Sequence, residues 1–248
     1  AALATLAYEG RRRQQFETYL MALAEMVERG LADQQQLRSS WAGALGQPQF
    51  MPDVYLSTAV DWDGDGHRDI WTNRGDVAAS IGNYLQDRGW RRGEPVFDEV
   101  TLPSGFNYAL ADGTLRSVTD WTERGVRRID GASWPADQRG LQAQLFLPAG
   151  ANGPALLLHH NFGVIRRYNN SDRYALVVAL LGRAFEGRGG LVASWPTAAG
   201  ALNREQILEL QTLLNGLGYQ SGNPDGLFGS ATRTAVRGFQ TDRGLPAD

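Results

Sequence analysis

The chain has 248 residues, 42% of them hydrophobic and 21% charged, with a formal net charge of -3. That is enough for one large domain plus a small one, and it offers no clustered basic excess for nucleic acid. There is no cysteine, which excludes disulfides, thiol nucleophiles and zinc–thiolate sites, and no apolar run of about eighteen residues, so no helical membrane span is expected.

The opening run Ala1 to Ala7 is apolar and lacks both a cap and a charged-then-apolar signal pattern, so it reads as starting inside a domain. From Arg11 to Arg29, Phe16, Leu20, Leu23 and Val27 recur at helical spacing, predicting an amphipathic helix that stops at Gly30 and buries that stripe. A short helix carrying Leu31 and Leu37 follows. Most of the arginine clusters at 11–13, 91–92, 127–128 and 166–167 read as solvated faces, with an anionic polymer the alternative for one or two of them.

The stretch Ser39 to Pro52 is small, glycine-rich and amide-rich, which suits backbone lying close to a polar ligand. Pro48 and Pro52 restrict the chain around Gln49 and Phe50. Next, Asp61, Asp63 and Asp65 alternate along the chain, and that arrangement repels itself unless a cation sits between the carboxylates. The pattern D-x-D-x-D-G places them at positions one, three and five of a calcium loop, with Gly66 turning at six and the His67 carbonyl at seven. Position twelve is Thr72, so another carboxylate is needed, either Asp69 or, in a longer loop, Asp76. The plain alternative is a solvated acidic turn. Asp76 also stands where an N-cap is expected, with Val77, Ile81 and Leu85 as the buried stripe of a helix ending near Gly89.

Between Gly93 and Leu158, short apolar runs at Val96 to Leu102, Gln142 to Leu147 and Ala155 to Leu158 predict a small inserted sheet. Helix returns at Asn161 to Ser171 and at Tyr174 to Phe185, the latter apolar enough to be buried. Gly187 to Gly200 reads as a linker. In the last segment Asn203 caps a helix in a box with Gln206, and Ile207, Leu210, Leu214 and Leu217 line one face. After the turn Asn223-Pro224-Asp225-Gly226, Ser230 caps a second helix with Ala235, Val236 and Phe239.

Ser40 to Pro52, the aspartate loop, Asp76 to Tyr84 and Tyr168-Asn169-Asn170-Ser171 through Tyr174 together resemble the lytic murein transglycosylase B family. Asp225 to Gly229, Thr232, Ala235-Val236 and Phe239-Gln240 are similar to the three-helix peptidoglycan-binding domain. The resemblance implies a mainly α (α+β) fold: a lysozyme-like helical catalytic domain over residues 1–190 with a β insertion at about 92–160, a linker at 191–202, and a small three-helix binding domain at 203–248. It implies cleavage of the MurNAc–GlcNAc β-1,4 bond of peptidoglycan with formation of 1,6-anhydromuramoyl ends, in the bacterial periplasm or cell envelope. One glutamate would act as acid and then as base, which suffices because an internal hydroxyl attacks in place of water.

Carried onto this chain, the substrate residues are Ser40, Gln49, Tyr84, Tyr168, Asn169 and Tyr174. A structural Ca²⁺ ion would use Asp61, Asp63, Asp65, the His67 carbonyl and Asp76. The family's acid lies in a Glu-Ser/Thr-x-x-Gly segment that would precede Ala1; none occurs among these residues, and Glu9, the nearest glutamate, sits beside Gly10 and three arginines. Two other readings stay open: a murein-binding module that does not cut, and a calcium-stabilised adhesion or scaffold protein.

Overall fold

The computed structural model describes residues 1–33, 35–196, 202–245 and 247. The chain packs as two compact units, residues 1–90 and 91–248.

The first unit is helical: α1 Ala2–Tyr8, α2 Arg13–Glu28, α3 Pro52–Thr58 and α4 Arg74–Asp87. Its core is built on Leu3, Met26, Leu45, Phe50, Tyr55 and Ile70. The Tyr55 hydroxyl lies 3.2 Å from the Leu31 carbonyl and 3.1 Å from that of Arg68, so its proton serves two turns from inside the core. Helix α2 sits where expected, but its buried positions are Ala22 and Met26; Leu20 and Val27 are exposed, and Phe16 and Leu23 half-buried. No helix forms at 31–38 among the described residues, because the Asp33 carboxylate accepts the Gln35 and Gln36 N–H groups and closes a turn instead. Helix α3 was not anticipated. Pro52 at its first position needs no N–H partner there, and Tyr55 anchors it.

The second unit holds a five-stranded antiparallel sheet of order β2-β4-β5-β1-β3: β1 Phe97–Thr101, β2 Arg116–Ser117, β3 Arg127–Arg128, β4 Gln142–Phe146 and β5 Ala155–Leu158. Register sets Phe97 opposite Leu158, Val100 opposite Ala155, and Gln144 opposite Leu158. The three longer strands match the apolar runs. One face covers a core of Val118, Trp121, Val126, Trp134, Ala143 and Leu157. Trp121 belongs to the short helix α5, Val118–Glu123, which opens with a Ser117/Asp120 capping box, and its indole N–H reaches the Ala143 carbonyl at 2.9 Å.

Helices α6 His160–Tyr168 and α7 Asp172–Phe185 follow the sheet. Helix α7 buries only Ala175, Leu176 and Ala179, whereas Val177, Leu181 and Phe185 are exposed, so its apolar content marks one covered side and one open side rather than a buried helix. Two buried polar side chains tie irregular chain to this frame. Asn161 accepts from the Arg91 N–H (2.9 Å) and donates to the Arg91 and Glu94 carbonyls (2.8 and 2.9 Å). Glu99 accepts the N–H groups of Val192 and Ala193 at 2.7–3.0 Å. The remainder of the expected linker includes residues 197–201, which lie outside the described residues.

The C-terminal segment contributes α8 Arg204–Gly216 and α9 Ser230–Asp242. The Asn203/Gln206 capping box forms as expected. Ser230 is the first residue of α9 and does not cap it; Gly229 is the N-cap. Two helices are present among the described residues where the resemblance implied three. The connecting chain is instead held in turns by Gln211, a buried residue among the expected leucines. Its Oε1 accepts the Asp225 and Gly226 N–H groups at 2.9 Å, and its Nε2 donates to Asp225 Oδ1, the Leu227 carbonyl and Thr232 Oγ1 at 3.0–3.1 Å. Leu214 is buried beside it, while Leu217 is exposed.

Inside the second unit, His159 Nε2 lies 2.9 Å from Asp98 Oδ2, which also accepts the Trp134 indole N–H at 3.2 Å. Burial alone would raise the Asp98 carboxyl, but His159, Trp134 and Arg128 outweigh it and hold it below its ordinary value. A carboxyl depressed in the fold contributes stability fully above its unfolded value of about 4 and loses that contribution as pH falls through the folded value. Asp98→Asn should therefore lower the melting temperature near neutral pH, with the gap from wild type closing toward about pH 3. Thermal melts across that range check this, and a pH-independent gap would assign the effect to packing.

Candidate functional site

Within the first unit the amide-rich loop is a built structure. The Ser40 hydroxyl accepts the N–H groups of Ala42 (3.3 Å) and Ala44 (3.1 Å), and Leu45 and Phe50 exchange backbone bonds at 2.8 and 3.0 Å. Between them Gln49 holds φ +54°, a left-handed conformation uncommon for a non-glycine residue, with its Nε2 donating to the Gly46 carbonyl at 2.8 Å. Its Oε1 remains on an exposed side chain. Phe50 meets the buried Tyr84 ring at 5.8 Å between centroids, and the Arg88 guanidinium lies 4.9 Å from the centre of that ring. Ser40 thus shapes the turn, Gln49 is presented by it, and Tyr84 supports it from α4.

The loop is tied directly to the aspartate loop. Gln47 donates its N–H to the Ile70 carbonyl (2.9 Å) and its side-chain amide to the Trp71 carbonyl (2.8 Å). Gly46 lies so close that a Cβ there would fall 2.7 Å from the Ile70 carbonyl oxygen.

Carboxylate oxygens of Asp61, Asp63 and Asp76 lie within 4.8 Å of one another. Asp76 is fully buried and is not the N-cap of α4; Asn73 caps it, accepting the Gly75 and Asp76 N–H groups, and Asp76 stands in the first turn. Its two oxygens accept the N–H groups of Trp62 (2.8 Å) and Asp69 (2.7 Å), which clamps both ends of the loop onto α4. The buried stripe of that helix is accordingly Asp76, Ser80 and Tyr84, one residue out of step with the expected Val77, Ile81 and Leu85, which are half-buried. Ser80 Oγ takes the Val60 N–H at 2.9 Å.

Asp61 accepts from Gly64 (2.7 Å) and Gly66 (2.9 Å); burial opposes its charge, but these N–H groups prevail and hold its carboxyl below the ordinary range. Asp63 accepts from the Asn73 side chain at 2.8 Å. Asp65 turns its Oδ1 to the His67 N–H at 2.7 Å, outside the close trio, and the His67 ring is exposed. Asp69 caps its own turn through the Trp71 and Thr72 N–H groups and does not join the trio. Among the described residues no arginine pairs with Asp61, Asp63 or Asp76. Three close carboxylates without a cationic side chain, one of them buried, form an oxygen donor set suited to a hard divalent cation.

In the second unit, the Tyr168 and Tyr174 rings run nearly parallel at 16°, with centroids 6.5 Å apart, across the turn from α6 to α7. Asn169 is the exposed C-cap of α6, and the Ser171 side chain caps α7 through the Tyr174 N–H. The structure therefore brings Tyr168, Asn169 and Tyr174 together on one corner. Trp41, beside Ser40, is 83% exposed and was not singled out in the sequence. The ring is left in solvent within a tightly bonded loop, and adjacency to Ser40 was the available signal. Glu9 is exposed at the C-cap of α1.

Residues 1–183 match the protein family described as "Transglycosylase SLT domain". The chain belongs to that family. Residues 203–248 match "Putative peptidoglycan binding domain". This family member is 32% identical over 193 residues to membrane-bound lytic murein transglycosylase B of Escherichia coli (strain K12), an alignment spanning 74% of this chain and 49% of that relative. It is also similar to SltB3 from Pseudomonas aeruginosa, solved with NAG-anhNAM-pentapeptide: 45% identity, TM-score 0.89, 100% of this chain and 66% of that one. The Escherichia coli lytic transglycosylase Slt35 in complex with calcium is 33% identical at TM-score 0.62, with 75% of this chain and 59% of that one covered. The chain thus spans about half the length of the curated relative and 66% of SltB3. The expected lysozyme-like, mainly helical fold with a small sheet and a C-terminal peptidoglycan-binding segment is present. No helix among the described residues is long and apolar enough to cross a membrane.

Gly46 gives the sharpest local test. At φ +63°, a side chain there must adopt left-handed backbone, costing about 1–2 kcal/mol, and also meet the Ile70 carbonyl. Gly46→Ala is expected to lower thermal stability and to speed amide exchange at Leu45 and Phe50, read by hydrogen exchange; unchanged protection of both amides would contradict the close packing.

Proposed function

We propose that this protein is a lytic transglycosylase that binds peptidoglycan glycan strands and cleaves the MurNAc–GlcNAc β-1,4 bond with formation of 1,6-anhydromuramoyl ends, in the bacterial periplasm or cell envelope. The observation that carries this reading is family membership over residues 1–183 together with a murein-type C-terminal segment. The proposed organisation is a catalytic domain over residues 1–190 with a β insertion at about 92–160, a linker at 191–202, and a binding domain at 203–248.

Each site residue has a role its surroundings allow. Tyr168 and Tyr174 form an aromatic platform for sugar rings, whose C–H faces favour flat apolar surfaces while their hydroxyls find polar neighbours such as Asn169. Gln49, held out by a left-handed turn, offers an amide oxygen to substrate hydroxyl or acetamide groups. Ser40 and Tyr84 hold the walls of that loop. The cleavage needs one carboxyl that first donates a proton to the glycosidic oxygen and then removes one from the attacking hydroxyl. No residue of this sequence is assigned that role; Glu9, exposed at a helix end, lacks the apolar surroundings such a group requires.

The carboxylates of Asp61, Asp63, Asp65 and Asp76 with the His67 carbonyl would hold a structural Ca²⁺ ion, as the oxygen donor set described above favours. Bound there, calcium supplies charge neutralisation and no chemistry on the substrate. Its support is the close trio and the calcium complex of Slt35.

Digestion of purified murein sacculi by the protein carrying this sequence, followed by mass spectrometry, is the test. Products lighter by one water than hydrolysed muropeptides, with Tyr168→Ala and Tyr174→Ala each reducing turnover roughly fivefold for a lost stacking contact of about 1 kcal/mol, are expected. Ordinary reducing ends would make the protein a hydrolase, and murein bound but uncut would make it a binding module.

A further inference from the structure

We propose that the cavity between α9 and the β4–β5 side of the second unit binds a carboxylate of the peptidoglycan stem peptide. This rests on the murein reading above and extends it to the peptide.

The cavity holds about 190 Å³ and is lined by Arg166 of α6, Asp172 of α7, Gln144 and Phe146 of β4, and Arg233 and Arg237 of α9. Among the described residues that line it, there are three guanidinium groups and one carboxylate. The Asp172 carboxylate is already engaged: its Oδ1 lies 3.1 Å from Arg166 Nε, and Arg166 also donates to Asn170 Oδ1 at 2.9 Å. Arg237 donates to the Ala111 carbonyl, fixing α9 against the chain that leads into β2. The Arg233 side chain makes no hydrogen bond or ion pair among the described residues. Among the described residues, the cavity therefore holds in Arg233 a guanidinium whose donors are available.

That arrangement has a cost within α9 itself. Arg233 and Arg237 stand four residues apart, and like charges at that spacing weaken a helix. An anion held by Arg233 lowers that repulsion. All 24 basic side chains of the chain are arginines, and a guanidinium meets a carboxylate through two parallel N–H bonds. Among the chemical groups of the proposed substrate, the sugars offer neutral hydroxyls and acetamides, whereas the peptide supplies free carboxylates. Phe146 gives the small side chain next to such a carboxylate an apolar wall. SltB3, on which the whole chain superposes at TM-score 0.89, was solved with a pentapeptide-bearing ligand.

Calorimetric titration of two probes into the whole chain tests this: GlcNAc–MurNAc-pentapeptide, and a peptide-free probe that is the same disaccharide with its lactyl carboxyl capped as the methylamide. The wild type should bind the peptide-bearing probe more tightly. Arg233→Gln should weaken that probe roughly tenfold, the order expected for a charge-assisted pair, without changing the peptide-free probe. Arg233→Lys should keep part of the difference. Since the Arg233 side chain has no partner among the described residues, its variants should melt as the wild type does. Equal binding of both probes by wild type and Arg233→Gln would overturn the pocket alone, leaving the murein reading intact. Failure of the wild type to bind either probe would overturn both.

Discussion

The buried carboxylate of Asp76 is the constraint on which the first unit depends. A carboxylate out of contact with solvent needs its lone pairs filled, and here two backbone N–H groups at the two ends of one loop do so. The bonds fix where the loop leaves α3 and where it enters α4. They also deliver Ile70 and Trp71 to the positions from which their carbonyls hold Gln47. The presentation of Gln49 and the seat of Tyr84 follow from that chain of contacts. The aspartate loop and the amide-rich loop are thus one mechanical object, although neither lies inside regular secondary structure.

The same device recurs in the second unit. Asn161 gathers residues 91–94 onto α6, Glu99 catches the N–H groups of Val192 and Ala193 beyond α7, and Gln211 fastens the Asp225-Gly226-Leu227 turn and Thr232. In each case one fully satisfied polar side chain replaces the secondary structure that an irregular segment lacks. It also explains why the C-terminal segment stays compact with a small apolar core, since Gln211 supplies five of its internal bonds.

Much of this was legible in the chain. The three longer strands, α2, α4 and α8 with its capping box, and the spacing of the aspartates all follow from periodicity and turn chemistry. What periodicity misread was which face is buried. In α4 the expected stripe of Val77, Ile81 and Leu85 gave way to Asp76, Ser80 and Tyr84, because those polar groups find partners only once the loop has folded back upon them. In α7 an apolar sequence suggested burial on every side, but the neighbouring elements cover only the small residues Ala175 and Ala179 along with Leu176. Helices α3 and α5 were too short for a period to show. Gln211 and Asn161 look like ordinary surface amides, and their partners lie up to 70 residues away in the chain, beyond any local pattern. The motifs around Ser40, Tyr84 and Tyr168 were visible, whereas the pairing of Tyr168 with Tyr174 and the exposure of Trp41 required coordinates.

The claim that the carboxylate cluster is a cation site is tested most directly by titrating Ca²⁺ into metal-stripped protein by calorimetry, with Asp63→Asn beside it. Asp63 is exposed, so the substitution leaves the buried clamp of Asp76 in place. One ion bound per chain by the wild type, with clearly weaker binding by the variant, is the predicted result. No heat of binding in the wild type, or equal affinity in the two proteins, would contradict it and reduce the loop to a turn held by its own hydrogen bonds.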